Sequence, residues 1–150
     1  ARGCAALAAF GMGIAGALHV AWAFSPWPLS TWREWNRTVM GTDDPTPRSG
    51  LEWVVPCFVI AGLLLAAAYI VVTRAGLLPR LGPWWALRIA AWCVVVVLLG
   101  RGVLGFVVPV PADLPAHAWN LFLYSPLCLV LAGLSAGAIG GAGRSPQGVG

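Results

Sequence analysis

Four apolar stretches run through the chain, at about residues 4–24, 51–73, 84–108 and 117–139, each near the roughly 20 residues a helix needs to cross a hydrocarbon core. Lipid offers no partner for backbone N–H and C=O groups, so segments of this kind must be helical. The composition agrees: 59% of the 150 residues are hydrophobic and 9% are charged, against about 25% charged in a soluble domain. The expectation is an all-α integral membrane four-helix bundle, with residues 1–150 as a single transmembrane domain. A lid-like loop over 25–50 joins the first two spans, and a flexible glycine-rich tail over 141–150 closes the chain. The first stretch is long for a signal-peptide core and reads as a retained helix.

Nine arginines, no lysine and five acids give a net charge of +4. With four spans, one side of the membrane carries Arg2, Arg74, Arg80 and Arg144, with Arg88 just inside the third helix; the other carries Arg33, Arg37 and Arg48 among several acids. Orientation follows basic residues and largely ignores acids, so both termini are expected in the cytoplasm. No basic cluster is interleaved with exposed aromatics, which argues against a nucleic-acid partner.

The first span contains Gly-Met-Gly-Ile-Ala-Gly at 11–16, the letters of a dinucleotide fingerprint without the strand that fingerprint requires. Small residues at this density let helices approach closely, and they are compatible with a homo-oligomer. His19 lies about a turn and a half before Phe24. In the first loop, Thr31 and Glu34 have capping-box spacing and Gly41 can end a helix, which predicts a short interfacial helix from Trp32 to Met40. Trp32, Trp35 and Val39 then share a face toward the headgroups or over the bundle. Asp43 and Asp44 read as turn residues. Ser49 and Glu52 suggest a second capping box, and Pro56 a kink early in the second span.

The third span opens on Trp84, Trp85, Arg88 and Trp92, an interfacial entry in which Arg88 can snorkel. Arg101 lies about two turns before Val108, among Gly100, Gly102 and Gly105. In the fourth span His117, Asn120 and Tyr124 fall at i, i+3 and i+7, a polar stripe that lipid cannot satisfy. Antiparallel threading brings His19, Glu52, Arg101, Asn120 and Tyr124 to one half of the membrane. The tryptophan-rich first loop and Asp113 lie on that side. The pattern predicts an aromatic-rimmed polar pocket there and an apolar plug in the other half.

Leu-His-Val-Ala-Trp at 18–22, Arg-Gly-Val-Leu-Gly-Phe at 101–106 and especially Tyr-Ser-Pro-Leu-Cys-Leu-Val-Leu-Ala at 124–132 resemble a bacterial family of small four-helix membrane proteins catalogued as a domain of unknown function. The resemblance implies the four-helix fold and a multi-pass place in the bacterial cytoplasmic membrane, and it supplies no activity. Family members commonly carry an aspartate four residues before the tyrosine, where this chain has Asn120.

Cys4, Cys57, Cys93 and Cys128 form no Cys-x-x-Cys pair and the two histidines lack zinc-site spacing, so neither a metal nor another cofactor is expected. Two functional classes remain. The first is a membrane-embedded acid-base enzyme acting on a lipophilic small molecule, such as a terpene cyclase or isomerase working through cations. Each desolvated tryptophan would stabilise a cation by about 0.5 to 2 kcal/mol. Glu52 is the first candidate proton donor, then Asp113, Glu34 and His19, with Tyr124, Asn120 and Arg101 orienting or stabilising. Trp22, Trp35, Trp53 and Trp119 would line the substrate site, with Glu34 at its rim. The second class is a non-enzymatic lipophile-binding, transport or accessory protein.

Overall fold

The computed structural model describes residues 2–108 and 110–141. Residues 142–150, and with them Arg144 and nearly all of the tail expected to be flexible, lie outside the described residues, while Gly141 ends a helix. Four helices are long and apolar enough to span a membrane: α1 (Arg2–Trp22), α3 (Leu51–Arg74), α4 (Trp84–Val107) and α5 (Pro115–Gly141). Between the first two lies α2, which runs as α-helix over Trp32–Trp35 and as π-helix over Asn36–Met40. The protein is a membrane protein with an all-helical four-span bundle, and the helix ends fall within two residues of those expected.

Local chemistry sets the ends. Thr31 Oγ1 accepts from Glu34 N–H at 3.1 Å and Glu34 Oε2 accepts from Ser30 N–H at 3.0 Å, so α2 starts on the expected capping pair. Gly41 closes α2 at φ +71°, a left-handed conformation that glycine adopts at little cost. The second capping box is not formed. Gly50, at φ +84°, is the residue before α3, and no side chain caps that end. A serine hydroxyl one position further out cannot reach the first free N–H groups.

The helices pair as α1 on α3 and α4 on α5, with α1 on α5 closing the bundle. Both apolar clusters occupy one half of its length. Ala5, Ala8 and Met12 of α1 meet Val71 of α3, Ala75 just beyond it and Ala138 of α5, and Ala91 and Val95 of α4 pack with Ile139. Glycines set the close approaches. A Cβ at Gly11 would sit 2.8 Å from Leu131 Cδ2, and one at Gly16 would meet α3 at Ala61, so the fingerprint letters serve helix packing. On α4, a Cβ at Gly102 would lie 2.6 Å from Leu129 Cδ2 and 3.2 Å from the Ser125 carbonyl, whereas one at Gly100 would meet open space.

Gly102→Ala should therefore force α4 and α5 apart, at a cost of about 1–3 kcal/mol for overpacking. Gly100→Ala should be neutral or slightly stabilising because alanine is the better helix former. Thermal unfolding of the two variants in the same detergent measures the contrast.

Candidate functional site

The half of the bundle opposite the apolar clusters holds the hydrogen-bonded polar network and the tryptophan cluster, two sets that α2 connects. The first set joins α4 to α5. Arg101 Nη1 and Nη2 each donate to Asn120 Oδ1 at 3.3 Å. Asn120 Nδ2 donates to the Gly105 carbonyl. Ser125 Oγ donates to Asn120 Oδ1 at 3.3 Å. Asn120 is 9% exposed and Ser125 wholly buried. Only glycine at 105 permits this: an added Cβ would collide with Ser125 Oγ and come within 2.9 Å of Asn120 Oδ1.

A wide turn in α5 makes the network possible. Residues Asn120–Tyr124 are π-helical, and Ser125 N–H donates to the Asn120 carbonyl five residues back. In a regular α-helix residues five apart point about 140° away from each other, so Ser125 could not reach the Asn120 side chain. Pro126 supplies the cause, since it has no N–H to donate and its ring crowds the carbonyl four residues earlier. The polar stripe follows the i, i+4 row through Asn120. Ala116, Asn120 and Tyr124 line the cavity, and His117 does not; its Nδ1 lies 3.2 Å from the Val110 carbonyl, off that face. The i, i+3, i+7 stripe expected of a regular helix is corrected accordingly.

The cavity beside this network has a volume of about 310 Å³. Arg101, Asn120 and Tyr124 give it a polar wall, and Leu104, Val108 and Val110 an apolar one. Val39, Met40 and Gly41 line it from above, so α2 ends over its mouth. Arg101 is exposed while its guanidinium reaches Asn120, so part of it stays accessible at the cavity.

The second set is aromatic. Trp35 is 2% exposed, with its ring centroid 5.4 Å from Trp22, 5.9 Å from Trp32 and 5.2 Å from Trp53. Trp53 Nε1 donates to the Trp22 carbonyl at 2.8 Å, tying α3 to α1. His19 lies tilted against Trp22, with 5.1 Å between ring centroids. Its Nδ1 is 2.8 Å from the Ala15 carbonyl, and a carbonyl only accepts, so this nitrogen carries the proton. The loop after α2 is held by the buried amide of Asn36, which donates to the carbonyls of Asp44 and Thr46 and accepts from Arg48 Nε at 3.0 Å. Arg48 also lies over the Trp53 ring at 5.7 Å.

The sequence-derived candidates divide along these lines. Arg101, Asn120 and Tyr124 meet at the cavity, and His19, Trp22, Trp35 and Trp53 meet in the aromatic cluster. The acids do not join them. Glu34 caps α2, while Glu52 and Asp113 are exposed and outside the cavity lining. Trp119 is 44% exposed and tilted against Tyr124 at 6.1 Å. Ser125, the Gly105 carbonyl and Asn36 were missed as partners; Pro126 was the available signal that α5 departs from regular register. Among the described residues no group of three or more histidine, cysteine or acidic side chains is placed to hold a metal, and the four cysteines are free.

A family model for a protein of unknown function, DUF3995, matches residues 12–135. The chain belongs to the DUF3995 family. That stretch takes in α2, Arg101 and the widened turn, and it agrees with the resemblance to a membrane family without assigned activity. No curated protein and no solved structure matches the chain.

The loop over the DUF3995 cavity carries an acid-sensitive element. Asp43 accepts from Arg33 Nε at 2.9 Å and lies 3.7 Å from Arg37. The hydrogen bond from Arg33 outweighs the opposing effect of desolvation and, with the lesser pull of the Arg33 and Arg37 charges, holds the carboxyl below its ordinary range. A carboxylate with a depressed native pKa adds its stabilisation above the unfolded value of about 3.9, and that contribution is lost as pH falls through the native value. Limited proteolysis of residues 41–50 in bilayer discs should be unchanged from about pH 7 to 5 and accelerate only below about pH 4. The Asp43→Asn variant should weaken the step, and Asp43→Asn/Asp44→Asn should remove it, because bonds from Thr46 hold the Asp44 carboxyl down as well.

Proposed function

We propose that the protein binds an amphipathic lipophile with an anionic head, held by Arg101 beside Asn120 and Tyr124 while the apolar part occupies the cavity under α2. Arg101 carries this reading. Arg33, Arg37 and Arg48 at the same end of the bundle each pair with Asp43 or Asp44, whereas Arg101 meets no carboxylate among the described residues. Its two bonds go to one neutral amide oxygen, which leaves further N–H donors and the whole charge available. An arginine within a span costs roughly 2.5 to 3.5 kcal/mol near mid-membrane and less toward the end. A carboxylate or phosphate arriving from the adjacent leaflet offsets that cost with charge-assisted hydrogen bonds.

Acid-base conversion of the lipophile, by cyclisation or isomerisation, draws less support. None of the five acids lines the cavity, and His19 sits in the aromatic cluster with Nδ1 engaged. Binding without conversion, for carriage or presentation to another membrane component, is the reading we favour. We place the protein in the bacterial cytoplasmic membrane with the start of α1 and the end of α5 facing the cytoplasm. Arg2, Arg74, Arg80 and Arg88, each within about a turn of a helix end, outnumber the loop arginines Arg33, Arg37 and Arg48 at the other, with Arg101, deeper in α4, left out of the count.

The test compares a long-chain fatty acid with the alcohol of equal chain length, using full-length protein in phosphatidylcholine discs and native mass spectrometry. A charged hydrogen-bonded head is worth about 1.5–3 kcal/mol, so wild type should prefer the acid by roughly 10- to 100-fold. Arg101→Met should abolish the preference while the protein stays folded, the two lost bonds to Asn120 being offset by removal of a charge from the span. Equal binding of acid and alcohol by both proteins would sink the proposal, and release of a chemically altered lipophile by wild type would restore the enzyme reading.

A further inference from the structure

The end of the bundle opposite the cavity has a charge problem of its own. Arg2, Arg74, Arg80 and Arg88 stand there, while all five acids, Glu34, Asp43, Asp44, Glu52 and Asp113, belong to the other end. Arg74, the last residue of α3, is 8% exposed, and its Cζ lies 3.8 Å from the Trp84 ring centroid. Its Nε and Nη1 are buried without a hydrogen-bond partner among the described residues. Arg88 follows Trp84 by one turn on the same side of α4, near enough for its charge to bear on Arg74. A buried guanidinium with unmet donors and a like charge at hand needs an anion, because a tryptophan face satisfies no N–H group. This chain has no acid at that end to provide one.

The neighbouring surface indicates what carries the anion. From Arg88 a groove of about 430 Å³ follows α4 along Ile89, Trp92, Cys93, Val96 and Val97. These positions form the i, i+4, i+8 rows of one outward helix face. The groove is cationic at its head and apolar below, and Trp84 and Trp85 are exposed beside its head, where an aromatic belt would sit. We propose that Arg74 and Arg88 bind the phosphate of an anionic phospholipid, with one of its acyl chains in the α4 groove. Arg88, exposed at the groove's head, offers the planar guanidinium that matches phosphate oxygens two at a time, and Arg74 adds its charge beside it. The site is separate from the Arg101 cavity and does not rest on the reading of that cavity.

The experiment reconstitutes the full chain in discs of mixed phosphatidylcholine and phosphatidylglycerol and counts retained lipids by native mass spectrometry. Wild type should hold phosphatidylglycerol in preference to phosphatidylcholine. The Arg74→Leu/Arg88→Leu double variant should lose that preference by about tenfold or more. Val96→Trp keeps both arginines, changes a lipid-facing position and fills the groove; it should lower retention as well, and it decides the matter if the double variant fails to fold. Equal retention of the two lipids by wild type, or retention of phosphatidylglycerol unchanged in Val96→Trp, would overturn the proposal. So would retention of inorganic phosphate by wild type in phosphatidylcholine discs at the level found for phosphatidylglycerol, since a free anion would then suffice.

Discussion

The side-chain amide of Asn120 joins two membrane-spanning helices at a level where lipid offers no hydrogen bonds. Its oxygen accepts from Arg101 and Ser125, and its nitrogen donates to the Gly105 backbone. An amide does both at once; an ionised aspartate, having no donor, could not serve the Gly105 carbonyl. Asparagine here thus secures the α4–α5 contact and leaves the Arg101 charge unspent, where an aspartate would neutralise it. The structural bond and the proposed binding property come from the same side chain.

The rest of the bundle divides its labour along its length. Small residues of α1, α3, α4 and α5 fill one half with tight apolar contacts that hold the helices together. The other half is thereby free to be polar and hollow. There α2 crosses the end, with Trp35 packed among Trp22, Trp32 and Trp53 at its start and Val39, Met40 and Gly41 over the cavity at its finish. A displacement of α2 would change the aromatic packing and the cavity mouth together.

Much of this was legible in the sequence. Apolar runs of membrane length dictated the four spans, and antiparallel threading alone placed Arg101, Asn120 and Tyr124 at one depth. The Thr31, Glu34 and Gly41 signals marked α2 because capping chemistry is local. What escaped was non-local or register-dependent. The i, i+3, i+7 reading put His117 on the polar face, where the cavity instead takes the i, i+4 row through Ala116 and Asn120; the wide turn before Pro126, which brings in Ser125, could not be read from a regular 3.6-residue period. The Ser49–Glu52 pair met the spacing of a capping box, yet Gly50 turned the backbone away. Glu52 attracted attention as an acid at the right depth, but depth does not fix direction around the helix axis, and Glu52 points away from the cavity lining. Asn36 gave no signal because its partners, Asp44, Thr46 and Arg48, lie in irregular loop.

The central claim is that an anionic head meets the Arg101 guanidinium inside the membrane. The most direct measurement is the dipolar coupling, by solid-state NMR in bilayers, between a ¹³C-carboxyl-labelled fatty acid and ¹⁵N-labelled arginine side chains. A hydrogen-bonded pair places the carboxyl carbon within about 4 Å of a guanidinium nitrogen, so strong dephasing is expected in wild type and none in Arg101→Met. No dephasing in wild type, or dephasing that survives the substitution, would contradict the account.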